Sequence, residues 1–249
     1  MPAANFTLPE IIDELRRNWQ SPTDRGQYRD WSDEKEITFN FVHDDALEDI
    51  GDGGFGPPQT SVPMTEHQMA MARLAFELWD DIVDIDITEV PADGQFSGDA
   101  PPEVRFSYST RVSAEEGAHA HTYEELFGTH LAGANIHINA DHPENADPAV
   151  DFGKWGFTTY IHEIGHALGL THPGPYNATD SDTPTWAKAV YTQDTLQYTI
   201  MSYFDAGEDG SEANHYGRYA ATPLLHDIAA MQEIYGADMS TRTGDTTYG

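Results

Sequence analysis

The sequence predicts an α+β fold, and three observations predict it. Ile37-Thr38-Phe39-Asn40-Phe41 alternates strictly, as a half-buried strand does. The segment 65–82 carries one apolar stripe at helical spacing. A second helical stretch places His162 and His166 four residues apart, on one face of a helix, and the clear pattern that follows it is again helical.

In chain order, Thr7-Leu8-Pro9-Glu10 has capping-box spacing and Ile11, Ile12, Leu15 and Trp19 follow at helical intervals, so a first helix is expected over about 8–19. The strand at 37–41 comes next. Residues 51–58 are a loop by composition, too irregular for a phosphate-binding fingerprint. Thr65-Glu66-His67-Gln68 opens the clearest amphipathic helix, with Met71, Leu74, Ala75, Leu78, Trp79 and Ile82 on its core face. Val83, Ile85 and Ile87 alternate with Asp84 and Asp86 as a strand, and after Pro101-Pro102 another runs through Val104, Phe106 and Tyr108. Two short β-like stretches, 118–123 and 134–138, interrupt loop-rich chain. A helix over about 157–168 carries the histidines. A polar insertion at 174–197 and a loop at 207–217 lead to a last helix, expected to be capped by Thr222, opened by Pro223 and ended by Gly236.

The chain of 249 residues is long enough for one large domain or two small ones. Its apolar content of 39% and aromatic content of 11% support a sizeable core. A formal charge of −31 excludes nucleic acid and anionic membrane as partners. There is no cysteine, which excludes disulfides, thiolate metal sites and a thiol nucleophile. No run approaches the ~18 apolar residues of a membrane span, and the first 18 residues lack a basic segment followed by an apolar one, so no classical secretory signal is read there.

The chemistry concentrates in His162-Glu163-Ile164-Gly165-His166-Ala167-Leu168-Gly169-Leu170-Thr171-His172. Two imidazoles one helical turn apart can take two corners of a tetrahedral zinc site. Glu163 leaves the helix about 100° round from His162, beside the metal, where a base for a metal-activated water belongs. Gly169 can end the helix in a left-handed conformation and swing His172 back as the third ligand. Three protein ligands leave one position open, the mark of a catalytic zinc site. Two weaker metal candidates are His119 with His121, two apart on one strand face, and the acidic loop of Asp141, Asp147 and Asp151, which could hold calcium.

Downstream, Thr199-Ile200-Met201-Ser202-Tyr203 matches the Met-turn that accompanies this extended zinc motif. The combination resembles the metzincin peptidases, and Pro173 in His172-Pro173-Gly174 makes it most similar to the serralysins. The resemblance implies a metzincin-like fold, a twisted mixed sheet backing the active-site helix with a helical C-terminal subdomain. It implies one protease domain over 1–240, its N-terminal subdomain running to about 172 and its C-terminal one over about 173–240. Residues 241–249 would begin a linker to a calcium-binding β-roll, none of whose glycine- and aspartate-rich repeats occurs in this chain, so calcium is expected mainly there. The implied activity is that of a secreted, extracellular zinc endopeptidase acting on proteins or peptides. It would be monomeric, with a proteinaceous inhibitor as a further partner, and stretch 118–123 would be an edge strand to which substrate adds. His162, His166 and His172 would bind zinc, Glu163 would be general base and acid, Met201 an apolar floor, and Tyr203 a weak metal ligand that turns to stabilise the tetrahedral intermediate. Two other readings are a zinc amidase or deacetylase on a small substrate and a zinc-bearing binding domain without catalysis. The intact Glu163 argues against the second.

Overall fold

The computed structural model describes residues 4–17, 30–31, 34–42, 60–91, 103–110, 118–124, 131–177, 184–210, 218–241 and 243–244; at 60, 119 and 121–124 it describes the backbone alone. The expected loop at 51–58 and Pro101-Pro102 lie outside these residues. The architecture is α+β, with four α-helices and one mixed sheet among the described residues.

Strand β1 (Glu36–Phe41) pairs in parallel with β3 (Asp86–Glu89) on one side and β4 (Val104–Thr110) on the other. β4 pairs in parallel with β6 (Leu131–Asn139), and β5 (Ala118–Glu124) closes the order β3-β1-β4-β6-β5 as an antiparallel edge strand. β2 (Thr60–Val62) lies antiparallel to the C-terminal half of β4, and its three residues carry no alternation by which sequence could reveal them. The 83–87 strand begins later than expected, at Asp86, because Val83 pairs instead in an isolated bridge with Ala237.

Helix α2 (Glu66–Asp80) starts at the expected capping box, where the Thr65 side chain accepts from Gln68 N at 3.2 Å and the Gln68 side chain accepts from Thr65 N at 2.8 Å. It meets the sheet through Phe76, stacked on Phe39 with centroids 3.8 Å apart. Helix α3 (Trp155–Ala167) begins two residues earlier than expected and packs beside both, with Trp79 Nε1 donating to its Ile161 carbonyl at 3.1 Å and Tyr160 edge-on to Phe106 at 5.1 Å. Its first turn lies against a 3-10 turn, Pro143–Asn145, so closely that a Cβ on Gly156 would stand 2.2 Å from the Glu144 carbonyl oxygen.

Helix α1 (Leu8–Arg16) is shorter than expected, and Trp19 lies outside the described residues. It buries Ile11 and Leu15 and packs against α4 (Leu225–Tyr235). α4 starts two residues beyond Pro223. The Asp227 carboxylate accepts from Leu224 N at 2.8 Å, so a buried acid caps the helix where Thr222 was expected to. Gly236, with φ of 83°, ends it as expected. Within the stretch 174–197, Tyr176, Tyr191, Asp194 and Thr195 are buried.

Candidate active site

The last turn of α3 ends as its sequence demands. Leu168 is the C-cap and Gly169 follows with φ of 109°. Leu170 N donates to Gly165 O at 2.9 Å and Gly169 N to His166 O at 3.0 Å, the paired bonds of a Schellman motif. The remaining carbonyls of the turn go to side chains distant in sequence, Ala167 O accepting from Trp31 Nε1 at 2.9 Å and Leu168 O from the Tyr235 hydroxyl at 2.6 Å. Thr171 is fixed next: its N–H donates to Leu15 O at 2.7 Å, and its hydroxyl lies 3.0 Å from Arg17 O. The chain reversed at Gly169 therefore presents His172 to α3.

The three histidines meet there. His162 Nδ1 donates to Ile200 O at 2.7 Å, His166 Nδ1 to Leu170 O at 2.8 Å and His172 Nδ1 to Tyr176 O at 2.9 Å. Desolvation holds all three imidazoles neutral, His162 down to about 4, His166 to about 3 and His172 well below its ordinary range. A neutral ring with its proton on Nδ1 has only a lone pair on Nε2. The short Nε2 separations, 3.1 Å for His166 to His172 and 3.3 Å for His172 to His162, are thus not hydrogen bonds but lone pairs converging on one point. Tetrahedral ligation at ~2.0–2.1 Å requires donor atoms roughly 3.3–3.4 Å apart. The cluster fits a zinc ion.

Among the described residues this is the one group of three or more His, Asp or Glu side chains close enough to share a metal. Asp141, Asp147 and Asp151 are exposed and form no such group. Register places His119 opposite His137 across β5 and β6, while the side chains of His119 and His121 lie outside the described residues.

Glu163 is buried at 6% exposure, one residue on from His162. Tyr203 is half-buried, its ring centroid 4.5 Å from that of His172 and 6.2 Å from that of His162. Met201 is fully buried beneath α3, and a Cβ on Gly165 would stand 2.9 Å from its sulfur. The glycine inside the motif is thus a packing requirement of the Met-turn. The three histidines grouped by sequence reasoning converge here, but sequence reasoning missed what supports them. Asp227 accepts from the Thr199 hydroxyl at 2.5 Å and from Ile200 N at 2.9 Å, and so fixes the carbonyl that orients His162. Burial pushes its carboxyl up to about 7 against the pull of those donors. Tyr176 and Asp194 support His172, and two tyrosines at 176 and 191 in a stretch otherwise rich in polar residues were the available signal that it folds inward.

Residues 57–180 match the peptidase M10 family described as matrixin. Serralysin of Proteus mirabilis is 41% identical over 190 residues, 74% of this chain and 37% of its own. Serralysin B of Dickeya chrysanthemi is 35% identical over 214 residues, 86% of this chain and 41% of its own. Metallopeptidase AprA of Pseudomonas marginalis is 34% identical over 253 residues, 98% of this chain and 48% of its own. The chain spans less than half the length of these relatives. Its fold, its convergent histidines and these likenesses place it together: the chain belongs to the serralysin family of metzincin metallopeptidases.

Proposed function

We propose that this chain is the catalytic domain of a secreted zinc endopeptidase, with the N-terminal subdomain ending near 172, the C-terminal one near 240, and a linker beginning at 241. The observation that carries the reading is the convergence of three neutral Nε2 lone pairs on one point. His162, His166 and His172 would hold a zinc ion, which would supply acidification of a water toward a pKa of about 7 and polarisation of a substrate carbonyl. Glu163 would serve as the base for the attacking water and then as the acid for the leaving amine. Tyr203 rests against the metal site and donates its phenolic hydrogen to the developing oxyanion. The antiparallel edge strand β5, packed beside α3, supports an extended peptide as substrate, added as a further strand. Among the described residues no helix is long and apolar enough to cross a membrane. The formal charge of −31 suits a domain that stays dissolved and monomeric outside the cell.

The test is hydrolysis of casein and of a denatured protein mixture, with and without a chelator. Cleavage at internal peptide bonds, abolished by chelation and restored by zinc, is expected. Deacylation of small amides without cleavage of proteins would replace this reading with that of a zinc amidase, and zinc binding with neither activity would leave a binding domain.

A further inference from the structure

Two buried carboxylates brace the segments around the site. Asp227 holds the first residues of the Met-turn, Thr199 and Ile200. Asp194 is 0% exposed. Its Oδ1 accepts from the Tyr176 hydroxyl at 2.8 Å. Tyr176 is buried, and three contacts define its place: its carbonyl accepts from His172 Nδ1 at 2.9 Å, its ring stacks on His172 with centroids 5.5 Å apart and planes 16° apart, and the same ring lies 5.3 Å from that of Tyr203. The Tyr203 ring is therefore bounded by His172 and Tyr176, and Asp194 holds the hydroxyl of the second of these rings.

From this we infer that Asp194 and Tyr176 are positioning residues for Tyr203, fixing the wall against which its phenol moves between the metal site and the reacting carbonyl. The inference rests on the role given to Tyr203 above. A fully buried carboxylate is costly unless paired, and apolar side chains would fill the same space at lower cost. What the acid adds is direction: it pins the hydroxyl of Tyr176, one of the two rings that bound the Tyr203 ring. Tyr203 is half-buried, and a fixed wall beside it limits the ring positions from which the transition state must be reached.

Tyr176→Phe tests this with least disturbance, because it keeps the ring and the carbonyl that orients His172 and removes only the bond to Asp194. Turnover should fall by about 10–100-fold, the usual cost of losing a supporting partner, with KM nearly unchanged and zinc retained in competition with a chelator. In the Tyr203→Phe background the same change should cost almost nothing, since it acts through the missing hydroxyl. The copper(II)-substituted protein gives a readout without turnover: its tyrosinate-to-copper charge-transfer absorption should weaken or shift in Tyr176→Phe. Asp194→Asn, which can still accept from Tyr176, should retain more turnover than Asp194→Ala; should either fail to fold, the Tyr176 series decides alone. If Tyr203→Phe by itself leaves turnover intact, the catalytic role of Tyr203 fails and this inference falls with it. If Tyr203→Phe is severe but Tyr176→Phe costs the same factor in both backgrounds, or leaves the copper absorption unchanged, Tyr176 and Asp194 only pack, and the endopeptidase reading stands without them.

Discussion

At the scale of single residues, proton bookkeeping decides what the site can do. Each imidazole gives its Nδ1 proton to a backbone carbonyl, so no histidine here has a proton to spare for general acid catalysis. The proton transfers fall to Glu163, and its removal separates chemistry from metal binding. Glu163→Ala should lower turnover on casein by at least about 10²–10⁴-fold while zinc content by metal analysis stays at one per chain. Loss of the metal from that variant would move Glu163 into the ligand set and refute its role as base. His172→Ala has the opposite expectation: two helix ligands remain, and zinc should be lost on dialysis against a mild chelator that leaves the parent protein loaded. Equal zinc retention in the two proteins would sink the three-histidine site.

At the scale of elements, the motif was legible in sequence because its geometry is local. Eleven consecutive residues contain both helix ligands, the Schellman glycine and the returning histidine, and the bonds from Leu170 N and Gly169 N close within six residues. Helix α2 and strand β1 were legible for the same reason, since their burial follows a short period; β4 is buried on both faces and was legible only from its alternation of residue type. What sequence could not show is where distant segments meet. The first turn of α4 waits for Asp227 to satisfy Leu224 N, the last turn of α3 takes donors from Trp31 and Tyr235, and Thr171 is tied to α1 some 156 residues away. Gly156 is another such place. Any side chain there would meet the Glu144 carbonyl oxygen, a backbone atom unable to yield cheaply. Gly156→Ala should therefore lower stability by about 1–3 kcal/mol, the cost of overpacking, read as a lower denaturant midpoint. Gly153→Ala is the informative contrast: its added Cβ would meet nothing, so only its φ of 72° opposes it, and it should cost less. Equal midpoints for the parent and Gly156→Ala would show that the helix and the 3-10 turn can separate without cost.

At the scale of the whole molecule, stability and charge work against each other. Forty-three acidic and 12 basic side chains give the native surface a repulsion that grows as carboxylates ionise. The buried Asp227 adds a specific contribution of the same sign. Its carboxyl is pushed from an ordinary value of 3.8 up to about 7 in the folded protein, chiefly by desolvation. Below about pH 4 it is protonated in both states and costs nothing. Between about pH 4 and about pH 7 the unfolded chain ionises it while the folded chain keeps the proton, so the native state binds more protons and stability falls as pH rises. Above about pH 7 the penalty is constant. Asp227→Asn removes that titration and can keep the geometry, its Oδ1 accepting from Ile200 N and Leu224 N and its amide donating to the Thr199 hydroxyl. Urea unfolding of the zinc-free protein at about pH 5 and about pH 8 should therefore show the parent losing more stability across the interval than Asp227→Asn. The difference between the two slopes isolates Asp227, because the surface repulsion is common to both. Parallel slopes would mean that Asp227 is ionised throughout, its three donors outweighing its burial, and that the pH dependence belongs to the surface alone.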